Sequence, residues 1–336
     1  MPAATVPSAP VSVCHASARS RRRVLFIGGS LNQTSMLRAV ARELSEQHCV
    51  FTPYYADGGL RWAAERGLLD FTILGGRPRQ MSEAFLRENE VEIDERGAGG
   101  TPDLVVTSTD LLVQRNLRGR PMVLVQEGMM DPEDWRYRLV RGLRLPRWLA
   151  NTSMTGLSHA YQSFCVASSG YADVFVRKGI PPERIEVTGL PNFDDCASFL
   201  RNDFPHRGYV LAATSCLRET LKREDRRGFI RRCLAIADGR PLVFKLHPNE
   251  DHPRARREIE RETKQALVFD SGNTNHMIAN CDVLVTRYSS VVFVAQALGK
   301  EIHCDLDTLA LRRLTPIQNG GTSARRIADV CRRLLS

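Results

Sequence analysis

Two α/β domains, each a parallel sheet flanked by helices, are what the sequence predicts, on three observations. Strand-like apolar runs alternate with helical stretches along the chain, the alternation begins again after LPNFDD (190–195), and 336 residues with 43% hydrophobic content suffice for two such units. A continuous apolar run marks a strand covered on both faces. Strands alternating with helices favour parallel sheets with right-handed crossovers.

The elements follow in order. Residues 1–22, rich in Ala, Ser, Pro and Val without periodicity, read as a flexible extension. Within SRRRVLF (20–26) the likeness to a twin-arginine export signal is superficial, because VLFIGG gives way at once to polar SLNQTS. A strand over 23–29 leads through Gly28-Gly29-Ser30 to a helix from about Thr34 to Glu46, with Leu37, Val40, Ala41 and Leu44 on one face. Strands are expected at 49–54, 104–108, 122–126, 163–167 and 185–189, with helices over parts of 59–96, at 134–145 and at 170–178. After a hinge near 189–205, strands at 208–213, 241–246, 266–269, 283–286 and EIHCD (301–305) alternate with helices at 217–236, 254–264, 290–298 and 323–335. The predicted domains are therefore 23–190 and 191–336.

Composition narrows the function. Nine cysteines, an odd number without a CxxC pair or zinc spacing, read as reduced thiols of a cytoplasmic protein. No stretch approaches the roughly 18 apolar residues of a membrane span. A net charge of +9 points to an anionic partner. Nucleic acid is not expected, since no reader module or set of stacking aromatics accompanies that charge.

Two segments carry the chemistry. In VLVTRYSSVVFVAQALGKEIH (283–303) a buried strand, Val283 to Val285, runs through Tyr288 to Ser289 and Ser290, where a helix begins. Hydroxyls and free N–H groups at a helix start hold anions. In PLVFKLHPNEDHP (241–253) another strand ends at His247-Pro248-Asn249-Glu250. Ligands of open α/β sheets bind beyond the carboxyl ends of strands, so His247, Asn249, Ser289 and Ser290 are expected to converge.

An HP pair followed by an SS pair resembles the C-terminal half of GT-B glycosyltransferases. Closer still are bacterial sialyl- and polysialyltransferases, capsule polysaccharide transferases and CDP-glycerol glycerophosphotransferases. The resemblance implies two facing Rossmann-like domains with an interdomain cleft. It further implies a CMP-, CDP- or UDP-linked donor as co-substrate, a saccharide or lipid-linked acceptor, and no cofactor or metal. Gln126-Glu127-Gly128 resembles the acid-acid-Gly motif of sialyltransferases, with Gln126 in place of the first acid, and the E-A-G stretch of non-hydrolysing UDP-N-acetylglucosamine 2-epimerases. An epimerase is therefore the first rival reading, supported by QEG and HPN and opposed by YSS, where those enzymes carry a serine-glycine-glycine turn. A non-catalytic nucleotide- or nucleic-acid-binding protein is the second.

Glu127, at the end of a buried strand, is the candidate general base, with Asp110 in reserve; a carboxylate capping a helix is the alternative role. His247 is placed to donate to the donor phosphate and offset charge on the departing nucleotide. A metal cluster of His247, Glu250, Asp251 and His252 is disfavoured, because Pro248 and Pro253 break any helix that would align them. Thr214 and Ser215 end the first strand of the second half and border the diphosphate in the resembling fold, with Arg218 or Lys222 as partners; Ser215 as a helix cap is the alternative. Gly29 and Ser30 sit where the first loop meets the cleft, in a pattern that is not GxGxxG. Val294 stands where relatives carry a ribose-binding acid, which leaves Glu250 or Gln296 for that role, or a different donor.

Finally, WRYRLVRGLRLPRWLA (135–150) puts Trp135, Leu139 and Leu143 on one side of a helix and Arg138, Arg141 and Arg144 away from it. Such a helix either lies on the anionic inner face of a membrane or packs its apolar side on the sheet with the arginines solvated. The second is the reading preferred.

Overall fold

The computed structural model describes residues 21–220 and 223–336. Most of the extension expected over 1–22 lies outside the described residues, as do Cys14 and Lys222. The first sheet comprises β1 (Arg23–Ile27), β2 (His48–Thr52), β3 (Leu104–Thr107), β4 (Met122–Val125), β5 (Ser163–Val166) and β6 (Ile185–Val187). The second comprises β7 (Val210–Ala213), β8 (Leu242–Lys245), β9 (Leu267–Phe269), β10 (Val283–Val285) and β11 (Glu301–His303). Their strand orders are β2-β1-β3-β4-β5-β6 and β11-β10-β7-β8-β9, parallel throughout. Both are the open, Rossmann-like sheets expected. In each the strand order reverses beside the first strand, between β1 and β3 and between β7 and β10, and a crevice opens there at the carboxyl ends.

Alternation along the strands of the second sheet builds two layers. Val210, Ala212, Leu242, Phe244, Val283 and Val285 enter a core under α6 (Arg226–Ala237) and α7 (His252–Glu262). Leu211, Ala213, Val243 and Leu284 face a larger core continuous with that of the first sheet. Phe293, on α9 (Val291–Ala297), meets Tyr171 of α5 (Ser169–Lys178) and Phe193 of the linker edge-on, with ring centroids 6.3 and 6.0 Å apart. The two halves are thus joined through packed aromatics as well as through the chain.

Several elements depart from expectation. Residues 59–96 resolve into α2 (Gly58–Glu65) and α3 (Gly76–Glu88). The helix expected at 217–236 begins only at Arg226, where the Asp225 carboxylate accepts from Gly228 N at 2.8 Å; residues 218–220 form a 3₁₀ turn. Two seven-residue helices were not predicted: α8 (Thr274–Asn280), capped by Asn273, and α10 (Thr308–Leu314), capped by Asp307. Both are too short to show a periodic stripe.

The last helix, α11 (Ser323–Leu335), leaves the second half. It packs on β3, β4 and α1 (Leu31–Arg42), burying Ile327, Ala328 and Cys331. Arg332 reaches the Glu43 carbonyl and pairs with Glu46 at 2.8 Å. The chain segment assigned to the second domain thus ends in a helix that packs on the first sheet. Sequence order alone could not show that the chain returns.

The basic stretch is corrected. Its helix, α4 (Trp135–Gly142), is anchored by Tyr137 and Val140, while Trp135, Leu139 and Leu143 are 67, 46 and 64% exposed. The apolar side expected to pack on the sheet faces outward. Among the described residues no helix is long and apolar enough to cross a membrane.

Candidate active site

On the first domain the site is built around the turn after β4. Gln126 is fully buried, and its amide serves both neighbours: Nε2 donates to Gly128 O at 2.7 Å and Oε1 accepts from Ala167 N at 2.9 Å. A carboxylate at 126 could not donate to Gly128, so the departure from the acid-acid-Gly pattern is what holds this turn. It presents Glu127, whose Oε1 accepts from Ser30 Oγ at 3.3 Å. Burial raises the Glu127 pKa above the ordinary carboxylate value and the nearby Asp131 charge adds to the rise, against hydrogen bonds from Gln33 and Ser30. A carboxylate raised in this way is more basic than an exposed one and so better suited to take a proton.

The loop after β1 supports it. Ser30 and Gln33 form a reciprocal capping box at the start of α1, with Ser30 N donating to Gln33 Oε1 at 2.9 Å and Ser30 Oγ accepting from Gln33 N at 3.3 Å. A Cβ at Gly29 would collide with the Gln33 amide, and one at Gly28 would lie 2.9 Å from Thr34 Oγ1. The glycine pair thus admits the capping box that positions Ser30 beneath Glu127. Gln33 was not singled out from the sequence, although S-x-x-Q at a helix start is its signature.

Asp110 is differently placed. Its two carboxylate oxygens accept from Gly156 N at 2.9 Å and Ser158 N at 3.0 Å, and the residue is buried. With both oxygens occupied by backbone donors, it anchors the 156–158 turn and is not poised as a reserve base.

On the second domain β10, β7 and β8 are neighbours, so the turns that follow them share one edge. Thr214 Oγ1 accepts from His247 N at 2.9 Å and donates to Glu250, whose Oε1 also accepts from His247 N at 2.7 Å. The other oxygen of Glu250 pairs with Arg226 at 2.6 Å. Ser215 Oγ donates to Glu224 at 3.1 Å, and Arg218 grips Glu258 through two bonds of 2.8 and 2.7 Å. Of the residues expected to contact the donor, Thr214, Ser215, Glu250 and Arg218 are therefore engaged inside the protein as the frame of the His247 loop. Both oxygens of Glu250 are engaged inside the protein and the residue is buried. Ser215 caps no helix, because α6 starts eleven residues later.

That frame leaves the His247 ring at the edge, with Pro248 and Asn249 exposed beside it. Its Nδ1 accepts from Asn249 N at 3.1 Å, which leaves Nε2 to carry the proton; Cys216 Sγ lies 3.9 Å from Nε2. Burial lowers the His247 pKa to about 4, with Lys245 and His252 lowering it further and Glu219 opposing. The ring is therefore a neutral N–H donor at pH 7. Lys245, buried and bonded through Nζ to Leu246 O at 2.9 Å, was missed in the sequence because it sits inside the apolar strand β8.

The serine turn meets the first domain directly. Tyr288 Oη donates to Met130 O at 2.7 Å, and a Cβ built on Gly128 would lie 3.7 Å from the Ser290 Cβ. Ser290 begins α9 without capping it through its side chain. Val294 is buried, so no polar group stands where relatives carry an acid. Gln296 lines a separate hollow of about 370 Å³ with Arg232, Lys300 and His303. The structure thus brings Gly29, Ser30 and Glu127 together on one side, Thr214 and His247 to Glu250 on another, and Tyr288 to Ser290 against the Glu127 turn.

No family model matches the chain, and no curated protein matches it by sequence. Solved structures do match along nearly the whole length. MnaA of S. aureus in a co-structure with UDP gives a TM-score of 0.60 at 12% identity, covering 94% of this chain and 97% of that one. The UDP-GlcNAc 2-epimerase of Neisseria meningitidis bound to UDP-GlcNAc gives 0.59 at 14%, covering 93% and 100%. The wall teichoic acid polymerase TagF with CDPG gives 0.51 at 10%, covering 94% and 89%. At such identities the likeness is one of fold, and the fold is the two-domain GT-B architecture.

Proposed function

We propose that the protein transfers a sugar or polyol phosphate from a nucleotide-activated donor, CMP-, CDP- or UDP-linked, to an acceptor hydroxyl in cell-surface polysaccharide or glycolipid synthesis at the cytoplasmic side of the membrane. The observation that carries this reading is the approach of the Glu127-Gly128 turn to the Tyr288–Ser290 turn, with a carboxylate of raised pKa on one side and, on the other, a Ser290 hydroxyl that caps no helix. The solved proteins of this fold bound to UDP, UDP-GlcNAc and CDPG support a nucleotide as ligand.

In this mechanism Glu127 accepts the proton of the acceptor hydroxyl as its oxygen bonds to the transferred carbon or phosphorus. The bond to the nucleotide phosphate breaks, and the leaving phosphate keeps the electron pair. His247 Nε2–H, Ser289 and Ser290 donate to that phosphate and stabilise its growing charge. Calorimetric titration with CMP, CDP, UDP and GDP, with and without EDTA, tests the donor side: selective binding insensitive to EDTA is expected, and binding of none overturns the proposal. The epimerase reading, favoured by the QEG and HPN segments, is separated by NMR of the sugar product with no acceptor added. Epimerised free nucleotide sugar would replace transfer with isomerisation.

A further inference from the structure

The hollow that Gln296 lines has a charge that nothing in the candidate active site uses. It encloses about 370 Å³ at the outer edge of the second sheet, with α6, β11 and α10 as its walls. Arg232, Lys300 and Arg312 enter those walls beside the ring of His303, and among the described residues that line the hollow there is no carboxylate. The acids nearest in sequence are committed elsewhere. Glu301 accepts from His303 Nε2 at 2.7 Å, Asp305 lies 3.5 Å from Arg232 and 3.6 Å from Arg287, and Asp307 caps α10 by accepting from Ala310 N at 3.0 Å. Neither Lys300 nor Arg312 has a carboxylate within 4 Å among the described residues. Three like charges gathered around one cavity repel each other, and a doubly charged anion between them would remove that repulsion.

The lining also narrows the kind of anion. Two guanidinium forks and an ammonium match the oxygens of a phosphate, and the volume, within the roughly 300–1,000 Å³ of small-molecule sites, exceeds what a bare phosphate fills. Gln296 and Thr308 face the remaining space, and neither side chain has a hydrogen-bond partner among the described residues, so an amide and a hydroxyl are left for the hydroxyls of a ligand. We propose that this hollow binds a small phosphate monoester carrying hydroxyl groups, at a site separate from the serine turn and the His247 loop, neither of which lines it. Nothing in this depends on the transfer reaction proposed above. The place of the site gives binding a consequence. Arg312 stands on α10, and α10 is fastened to the first domain: Arg313 pairs with Asp173 at 2.9 Å, and Ser168 Oγ donates to Arg313 O at 3.0 Å. Arg232 and Lys300 belong to α6 and to the residue before β11. A phosphate held by all three spans the hollow and ties the edge of the second sheet to a helix anchored on the first domain.

The test titrates the full chain by calorimetry with glucose 1-phosphate, inorganic phosphate, glucose and glucuronate. Glucose 1-phosphate is expected to bind most tightly, inorganic phosphate more weakly, and the uncharged sugar and the monocarboxylate scarcely at all. Lys300→Gln and Arg312→Gln, each removing one charged donor from a position that is not in the core, should weaken glucose 1-phosphate about tenfold, with denaturant unfolding unchanged and Lys300→Arg restoring most of the affinity. His247→Asn and Ser290→Ala, at the candidate donor site, should leave it unaltered. Hydrogen exchange along 308–314 should slow when the ligand is bound. Binding lost in His247→Asn or Ser290→Ala but kept in Lys300→Gln and Arg312→Gln would move the phosphate to the serine turn and overturn the proposal. So would binding of none of the four probes, or glucuronate or glucose bound as tightly as glucose 1-phosphate. Binding with unchanged exchange along 308–314 would overturn the tie to α10. The nucleotide titrations of the transfer reading stand apart, since failure there with phosphate binding kept here would sink only that reading.

Discussion

The Glu127 turn follows a strand of the first sheet and the His247 loop a strand of the second, and the two are held in opposite ways. Around Glu127 the fixed groups are backbone and amide, and among the described residues the carboxylate itself has a 3.3 Å hydroxyl contact and the Gln33 amide near it. Around His247 the side chains of Thr214, Ser215, Glu250, Arg218 and Arg226 are locked into a network through their partners, and the ring itself is held through Nδ1 by Asn249 N, with Cys216 Sγ 3.9 Å from Nε2. In the proposed mechanism the group that changes its protonation state is thus the weakly bonded one, and the group assigned to the phosphate is the one backed by a network with little freedom to move. Polar residues near a ligand edge are thus not all contacts; here most of them are the frame.

The contrast is broken most severely at the base. Glu127→Gln should lower turnover by about 10²–10⁴-fold while nucleotide affinity stays unchanged, as steady-state rates and calorimetry would show. In the wild type the acid limb of the rate profile should lie above the ordinary carboxylate range, since burial raises the Glu127 pKa. Glu250→Ala attacks the frame. It leaves Arg226 buried beside one remaining acid, Glu224, and should cost about 3–5 kcal/mol in denaturant unfolding. Equal loss of stability in the Glu127 and Glu250 variants would erase the distinction drawn here.

His247 sharpens it through pH. Its folded pKa of about 4 lies below the unfolded value of 6.5, so between these the unfolded chain binds more protons. Its contribution is complete above pH 6.5 and is lost as the pH falls toward 4, up to about 3 kcal/mol in all. His247→Asn should flatten that part of the stability profile. Nucleotide binding near pH 5 should take up a proton, because a phosphate favours the charged ring; calorimetry in two buffers of different ionisation enthalpy measures it. The smallest effect is expected from Ser290→Ala, about 1 kcal/mol in nucleotide affinity with no change in unfolding.

The fold was legible because continuous runs such as Val283–Val285 and Val210–Ala213 fit only buried parallel strands. Its exceptions were short or returning elements: α8 and α10, with seven residues each, and α11, whose partners lie about 200 to 290 positions earlier in the chain. At the site, strand ends marked Glu127, His247 and Ser289–Ser290 because loops at those ends adjoin the crevice in any open sheet. Sequence could not separate frame from contact. Thr214 and Asn249 look equally available in HPN and ATS, and only the short bonds from Thr214 to its neighbours show it engaged. Gln126, read as a weakened match, turned out to hold the turn.

The return of α11 has a mechanical consequence. The polypeptide crosses between the two halves twice, through 188–209 and again before Ser323, and the crossings are laced side by side: Asp194 accepts from Asn319 N at 2.9 Å through its carbonyl and from Ser323 N at 2.8 Å through its carboxylate, while Gln318 accepts from Cys196 N at 3.0 Å. Sliding or twisting of one half past the other would break these bonds, whereas rotation about their line would strain them least. A jaw-like swing about that line would return the Glu127 turn and the serine turn to the same register at each closing.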